Sequence, residues 1–286
     1  LTHIVPDLKI NTRKLKPMEM IEFAKDSDFI MNDHTYIDAA FLDQCKDLKS
    51  IVFLGTGASS FIDIQAAEVR GVRVRTVKGY GNRSVAEHAI SLMFAAGRRI
   101  VEMDRSIRQG GWDLLGGTQF LGKKLAVMGT GGIGSEVVKM GAALGMEVLA
   151  WNRSGVPDDL PCKGVDLDSL IRNADVLSLH LSLTDETKGL LDSRRLAMLG
   201  SRAILVNTAR GELVDEKALL DCLSNHRIAH AALDVFLQEP LPRNSPWLDL
   251  ENVTLTPHSG WMTREASEAL FRMSLEELSR ELSFLT

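Results

Sequence analysis

Leu125-Ala126-Val127-Met128-Gly129-Thr130-Gly131-Gly132-Ile133-Gly134, a helix-permissive run to Leu144-Gly145, and then Val148-Leu149-Ala150-Trp151-Asn152-Arg153-Ser154 form the segment that decides the fold. An apolar run, a glycine-rich turn, a helix and a second apolar run spell a βαβ unit with GxGxxG at the helix entrance. Each glycine of that turn has a physical reason. Gly129 allows the tight turn out of the strand, Gly131 lets the backbone approach a pyrophosphate, and Gly134 lets the helix pack close to the sheet. Gly132 and Ile133 begin the helix, whose unpaired N–H groups and positive dipole end suit phosphate. The segment predicts dinucleotide binding.

The end of the second strand bears on which dinucleotide. A fold selective for NAD places Asp or Glu there, about 20 residues past the glycines, to hold the ribose 2′-hydroxyl. This strand ends in Asn152-Arg153-Ser154, without a carboxylate. Arg153 can fork onto a 2′-phosphate while Asn152 and Ser154 add hydrogen bonds, so NADP(H) is the expected cofactor, with NAD(H) possible.

The wider composition sets bounds. The chain has 286 residues, 45% of them apolar and 25% charged, which allows two soluble domains. A net charge of −5 without a block of like charges argues against a nucleic-acid partner. No apolar run approaches the ~18–20 residues that span a bilayer, and no signal peptide is visible. Cys45, Cys162 and Cys222 are scattered without metal-ligand spacing, which predicts no metal site and fits a reducing, cytoplasmic setting. The chain begins at Leu1 rather than Met, so an N-terminal piece is expected to be missing or removed.

Taken in order, residues up to about 99 alternate strands and helices. Pro17 opens a helix, Phe29-Ile30-Met31 is a strand, Ile37 to Cys45 a helix, Ile51 to Leu54 a buried strand, Ile64 to Arg70 a helix stopped by Gly71, and Val72-Arg73-Val74 a strand. Ser84 with Glu87 fits a capping box, and the apolar spacing from Val85 to Ile100 predicts one helix to about Arg108, crossing between domains near Gly97-Arg98-Arg99. After the dinucleotide unit, strands are expected at Asp175–Leu181, Ala203–Asn207, Ala231–Val235 and Val253–Leu255, with helices over Asp168–Ile171, Asp192–Leu199 and Asp215–Asn225. Apolar strands separated by helices predict a parallel sheet covered on both faces. From Thr263 the chain reads as one amphipathic helix, expected to return to the first domain. The predicted fold is α/β: a doubly wound parallel Rossmann domain (99–261) and a smaller flavodoxin-like α/β substrate domain (1–98 plus 262–286).

Candidate chemistry collects at strand ends. Gly55-Thr56-Gly57 follows a strand, where consecutive N–H groups of Thr56 and Gly57 can capture a carboxylate, although such a stretch is also an ordinary turn. Three later strands end in Asn207-Thr208-Ala209-Arg210-Gly211, in Asp234-Val235-Phe236-Leu237-Gln238-Glu239-Pro240 and in Thr256-Pro257-His258-Ser259-Gly260. A parallel sheet opens all these ends onto one edge, so Arg210, Glu239 and His258 can converge. Arginine polarises a carbonyl and binds a neighbouring carboxylate, histidine gives a proton, and a carboxylate beside it stabilises the imidazolium. Each residue alone also has an ordinary structural reading; their joint placement points to carbonyl reduction by hydride.

From about residue 26 onward the chain resembles the D-isomer-specific 2-hydroxyacid dehydrogenases. The segments that carry the likeness are GTGASSFIDIQAAEVRGVRV, SVAEHA, GTGGIGSEV, LHLSLTDETKGLL, ILVNTARGELVDEKAL, ALDVFLQEP and LTPHSG. The resemblance implies catalytic roles for Arg210, Glu239 and His258, with Arg210 contacting the substrate carbonyl and carboxylate. It implies a substrate-carboxylate loop at Thr56-Gly57 and a nicotinamide-carboxamide contact at Asp234. It also implies cofactor contacts from His180, Thr208, Ala209, Arg210, His258 and Gly260, beside the glycine turn and Asn152-Arg153-Ser154. A homodimer, acting on a small 2-oxo or 2-hydroxy acid, is the implied assembly.

Three departures qualify the likeness. Asn152-Arg153 replaces the usual aspartate, as in NADP-using glyoxylate and hydroxypyruvate reductases. An N-terminal strand and helix are expected to be missing, and no regulatory domain is expected after the last helix, unlike the longer phosphoglycerate dehydrogenases. The competing expectations are a nucleotide-sensing co-repressor-like binding protein and phosphite oxidation on the same scaffold. Formate oxidation fits less well, because that branch carries Gln where this chain has Glu239.

Overall fold

A computed structural model of the chain describes residue 5 and residues 8–13, 15–33 and 35–284. The chain divides into two compact units, Leu1–Gly81 with Thr263–Thr286, and Asn82–Met262. The passages between them fall at Gly81–Asn82 and Met262–Thr263. The first passage therefore lies before the helix expected to cross near residue 98. The physical reason is that this helix packs along its length on elements of the second unit.

In the first unit α1 (Pro17–Ala24), β1 (Phe29–Asn32), α2 (Ala39–Gln44), β2 (Ser50–Phe53), α3 (Ile64–Val69) and β3 (Arg73–Thr76) alternate. The strands form a parallel sheet in the order β1-β2-β3. Ile37 is not helical; it bridges Ile62 in parallel, and Asp38 caps α2 two residues later than the apolar pattern suggested.

The second unit opens with α4 (Asn82–Gly97) and α5 (Ile100–Arg108). The single long helix expected here is broken, because Arg99 adopts left-handed angles (φ 53°) between the two. Gly97 is needed at the break: a Cβ there would lie 2.2 Å from the Phe120 ring, which packs on the glycine. Ser84 sits inside α4, so it does not cap the helix, and Glu87 pairs with Arg83 at 2.7 Å instead.

Then follow β4 (Lys124–Met128), α6 (Gly132–Ala143), β5 (Glu147–Trp151), β6 (Lys163–Gly164), α7 (Leu167–Arg172), β7 (Val176–Leu179), α8 (Ser193–Leu196), β8 (Ile204–Asn207), α9 (Glu216–Ser224), β9 (His230–Leu233) and β10 (Val253–Leu255). All seven strands run parallel in the order β10-β9-β8-β7-β4-β5-β6. The order reverses between β4 and β7, the switch point at which open α/β sheets bind ligands. Alternation within each strand fills both faces. Leu125 and Val127 join the core beneath α4 and α6, while Ala126 and Met128 face the other core with Leu177 and Leu205. Each fully buried leucine contributes about 1.5–3 kcal/mol. Asp38, Asp63, Asp166, Asp192 and Asp215 each accept an N–H in the first turn of α2, α3, α7, α8 and α9, at about 1 kcal/mol per cap.

The chain ends on α10 (Arg264–Ser283), capped by Thr263 and packed on β1 and β2 of the first unit, as its amphipathic pattern predicted. Its Glu281 is 1% exposed and takes Arg73 Nε and Arg75 Nε of β3, each at 2.7 Å. Burial alone would raise this carboxyl, but the two arginines outweigh it and hold it below the usual carboxylate range.

Candidate active site

The glycine turn has the shape that the sequence demands. Gly129 has φ +99°, and a Cβ there would lie 2.6 Å from the His180 carbonyl oxygen, so only glycine lets β4 turn beside the end of β7. A Cβ on Gly134 would lie 1.8 Å from the Gly129 carbonyl oxygen. Nothing stands within 4 Å of a Cβ on Gly131, which leaves that backbone open to a ligand. Gly132 and Ile133 follow as the first residues of α6, whose N–H groups have no partner within the helix.

Three buried hydroxyl or ring atoms around the switch point have no hydrogen-bond partner among the described residues: Thr130 Oγ1, His180 Nδ1 and Thr208 Oγ1. Burial pushes the His180 imidazole down to about 3, so it is neutral, with its Nε2 2.8 Å from Ser178 Oγ. At the carboxyl end of β5 a cavity of about 480 Å³ is lined by Trp151, Asn152, Val156, Pro157, Cys162 and Val165, among others. An open glycine backbone, orphaned polar atoms and a half-apolar cavity fit a pyrophosphate flanked by ribose and base.

The loop after β5 carries Asn152, Arg153 and Ser154. Asn152 Nδ2 donates to Ser154 Oγ (2.8 Å) and to the Gly155 carbonyl (3.1 Å), so it shapes the loop. Arg153 is exposed, with Nη1 3.8 Å from Glu186 Oε2. An exposed pair at that distance holds the guanidinium weakly and leaves it available to a stronger anion.

At the end of β8, Asn207 folds the loop by accepting the Ala209 N–H (3.0 Å) and donating to the Arg210 carbonyl (2.9 Å). Arg210 Nη1 donates to the Ala209 carbonyl at 2.6 Å. Gly211 then meets the backbone that follows β9: a Cβ on it would lie 2.3 Å from the Phe236 carbonyl carbon and 2.6 Å from the Leu237 nitrogen. That contact presses the two loops together and sets Arg210 near Glu239.

Glu239 Oε1 accepts the Phe236 N–H at 2.9 Å, and Oε2 accepts from His258 Nδ1 at 2.7 Å. Burial opposes its ionisation, but the His258 hydrogen bond, the Phe236 N–H and the charges of His258 and Arg210 prevail and hold it below the usual carboxylate range. His258 has φ 53°, and its ring is 40% exposed. With Nδ1 engaged, Nε2 is the nitrogen left for a ligand.

Asp234 is 2% exposed. It accepts from Thr256 Oγ1 (2.6 Å), the Ser259 N–H (2.9 Å) and the Gly260 N–H (2.9 Å), so it clamps the loop that carries His258. Here too burial opposes ionisation, and these donors with His88 outweigh it and keep the carboxyl low.

Arg210, Glu239 and His258 thus lie at neighbouring strand ends of the second unit. In the first unit Thr56 and Gly57 follow β2, with Gly55 at φ +144° and Gly57 leading into a short 3₁₀ turn, Ala58–Ser60. The N–H groups of Thr56 and Gly57 have no hydrogen-bond partner among the described residues. Two polar residues near the site escaped the sequence reading. The Asn82 amide overlies Gly132, where a Cβ would meet Asn82 Nδ2 at 2.2 Å, and His88 reaches Thr256. Neither side chain belongs to a strand-end cluster, and only the packing of α4 brings them in.

Among the described residues no group of three or more His, Cys, Asp or Glu could hold a metal, and no helix is long and apolar enough to cross a membrane. Cys45 and Cys222 are buried and Cys162 is partly so, all as free thiols.

Comparison with known proteins adds an independent line. The family described as D-isomer specific 2-hydroxyacid dehydrogenase, NAD binding domain, matches residues 90–260. A hydroxypyruvate reductase of Thermotoga maritima is 35% identical over 96% of this chain and 92% of its own. A D-3-phosphoglycerate dehydrogenase of Archaeoglobus fulgidus is 37% identical, with 91% of this chain covering 50% of that longer one. Among solved structures, an acyclic imino acid reductase in complex with NADPH and D-Arg superimposes with a TM-score of 0.84 at 28% identity, covering 94% of this chain and 87% of that one.

Proposed function

The chain belongs to the D-isomer-specific 2-hydroxyacid dehydrogenase family, and from that premise we propose that it reduces small 2-oxo acids of the glyoxylate or hydroxypyruvate type with NADPH. The observation that carries the chemistry is the 2.7 Å contact between His258 Nδ1 and an ionised Glu239, with Arg210 beside it. A nicotinamide dinucleotide whose pyrophosphate is held at the glycine turn would supply the hydride for the carbonyl carbon.

The remaining work falls to this chain's side chains. Arg210 holds the carboxylate and polarises the carbonyl with a planar fork. His258 gives the Nε2 proton to the oxygen as negative charge develops there, and the product is the 2-hydroxy acid. Glu239 favours the protonated ring and fixes its orientation through Nδ1. In the first unit, which this reading makes the substrate domain, the N–H groups of Thr56 and Gly57, without a partner among the described residues, suit a small carboxylate.

NADPH over NADH rests on Arg153 and on the absence of a carboxylate among Asn152-Arg153-Ser154. A homodimer fits α5, which has no buried residue and leaves Ile100 and Ile107 50% and 56% exposed. The deciding experiment is a panel of glyoxylate, hydroxypyruvate, pyruvate and phosphite with each nicotinamide cofactor. Turnover of the first two with NADPH is expected. Phosphite oxidation, or cofactor binding with no turnover of any 2-oxo acid, would overturn the reading.

A further inference from the structure

We propose that His88, on α4, is a positioning residue for the proton-donating loop and acts through Thr256 and Asp234. The proposal rests on His258 being the acid. His88 Nε2 lies 3.0 Å from Thr256 Oγ1 and 3.3 Å from Asp234 Oδ1. Thr256 spends its only hydroxyl proton on Asp234 Oδ1, at 2.6 Å, so toward His88 its oxygen accepts. The Asp234 carboxylate, held ionised, is an acceptor as well. Both neighbours of His88 Nε2 are therefore acceptors, so Nε2 is the donor toward them.

That donor completes a closed set. Asp234 gathers the Thr256 hydroxyl and the Ser259 and Gly260 N–H groups on its carboxylate, while its own carbonyl accepts the His258 N–H at 2.8 Å. Residues 256–260 are thus tied at both ends to one aspartate. Between the ties His258 stands in the left-handed region, at φ 53°, which an L residue other than glycine holds only where its surroundings over-determine it. The His88 ring also fills space, because a Cβ on Gly260 would lie 3.3 Å from His88 Cδ2 and 3.1 Å from Asp234 Oδ2. His88 therefore contributes a donor to the clamp and a wall against the glycine. Among the described residues no hydrogen bond or ion pair joins it to His258 or Glu239, so its effect on the acid runs through the loop.

The test compares His88→Phe, which keeps a ring without the donor, with His88→Gln, whose amide places an N–H near the position of Nε2. His88→Phe is expected to lower kcat for 2-oxo acid reduction about 10- to 100-fold, the scale of a small misplacement of a reacting group. The KM for NADPH and thermal stabilisation by ADP-ribose should stay within about twofold, and His88→Gln should recover most of the turnover. Isotope-labelled histidine NMR should show the His258 ring signals shifted in His88→Phe and restored in His88→Gln, a readout that needs no turnover. Unchanged kcat and unchanged His258 signals in His88→Phe would overturn the proposal. So would a His88→Gln variant as impaired as His88→Phe, or a loss expressed equally in cofactor binding. A wild-type protein that turns over no 2-oxo acid sinks the functional reading instead, while the NMR comparison still decides whether His88 orders the loop.

Discussion

His258 Nδ1 lies 2.7 Å from Glu239 Oε2, and the other oxygen of that carboxylate accepts the Phe236 N–H at 2.9 Å. Glu239 is thereby anchored to its own loop and presents one oxygen to the ring. Because Glu239 is held below the usual carboxylate range, it stays ionised throughout the neutral region. Reduction of a 2-oxo acid needs protonated His258 and should fall as pH rises; oxidation of the hydroxy acid needs the free base and should rise with pH. Glu239→Gln removes the anion that engages His258 Nδ1 and should lower kcat for reduction, with NADPH affinity unchanged. Saturation kinetics of wild type and variant check this, and an unchanged kcat would detach Glu239 from the acid.

Arg153→Ala should weaken NADPH far more than NADH. A charge-assisted fork on a phosphate is worth roughly 1.5–3 kcal/mol, or about 10- to 100-fold. Its present partner, Glu186 at 3.8 Å, is exposed and competes little. Equal losses for the two cofactors in direct titrations would mean that Arg153 does not read the 2′-phosphate.

In the first unit the backbone at Thr56 and Gly57 is the expected carboxylate ligand. Thr56→Val should then leave the substrate KM nearly unchanged, while Gly57→Val should raise it through lost approach and altered dihedrals. A large KM defect in Thr56→Val alone would assign the contact to the hydroxyl.

Gly211→Ala puts a Cβ 2.3 Å from the Phe236 carbonyl carbon, so the loops bearing Arg210 and Glu239 must separate. A loss of about 1–3 kcal/mol in stability is expected, with kcat/KM reduced further because two reacting groups move together. Gly200→Ala, where a Cβ meets nothing within 4 Å, is the matched control and should be near neutral. Thermal melts and saturation kinetics of both variants make the comparison; similar behaviour of the two would remove the argument for the loop contact.

Acid should destabilise the protein through at least two groups. His230 is buried, with its value pushed down to about 4 from 6.5. Between those values the unfolded chain binds more protons, so stability present above about pH 6.5 is lost as pH falls toward 4. Glu281 is held low by Arg73 and Arg75, so its contribution is present above about pH 4.5 and lost as pH drops further. Glu281→Gln should cost about 2 kcal/mol near neutrality, less than the ~3–5 of a fully buried pair, because both arginines remain 41% exposed. Urea midpoints near pH 7, 5.5 and 4 would test this; an unchanged acid slope in Glu281→Gln would locate the sensitivity elsewhere.

Much of this was legible from the residues alone. Strand periods, the glycine turn, the Asp215 cap and the return of α10 all follow from local pattern, as do the strand ends carrying Arg210, Glu239 and His258. What escaped depends on contacts between distant residues. The break after Gly97 is set by the Phe120 ring and the left-handed Arg99, neither of which interrupts the apolar spacing from Val85 to Ile100. β6 spans only Lys163–Gly164, both exposed, and offers no hydrophobic alternation. His88 reads as one more helical residue until α4 is laid beside the Thr256 loop. Asp234 looks like a ligand-facing strand end, yet its 2% exposure and its three loop donors make it a clamp first.

The carboxylate of Glu281 has a consequence for the order in which the protein is made. Residues 82–262 are contiguous and can fold as soon as they leave the ribosome. The first 81 residues emerge earlier but lack α10, and with it the anion that Arg73 and Arg75 require side by side on β3. The unit synthesised first is therefore completed last, and its open sheet must stay soluble through the synthesis of the whole second unit. Until then Arg73 and Arg75 stand side by side on the outer strand of that sheet as unneutralised charges, a feature that disfavours pairing with another chain.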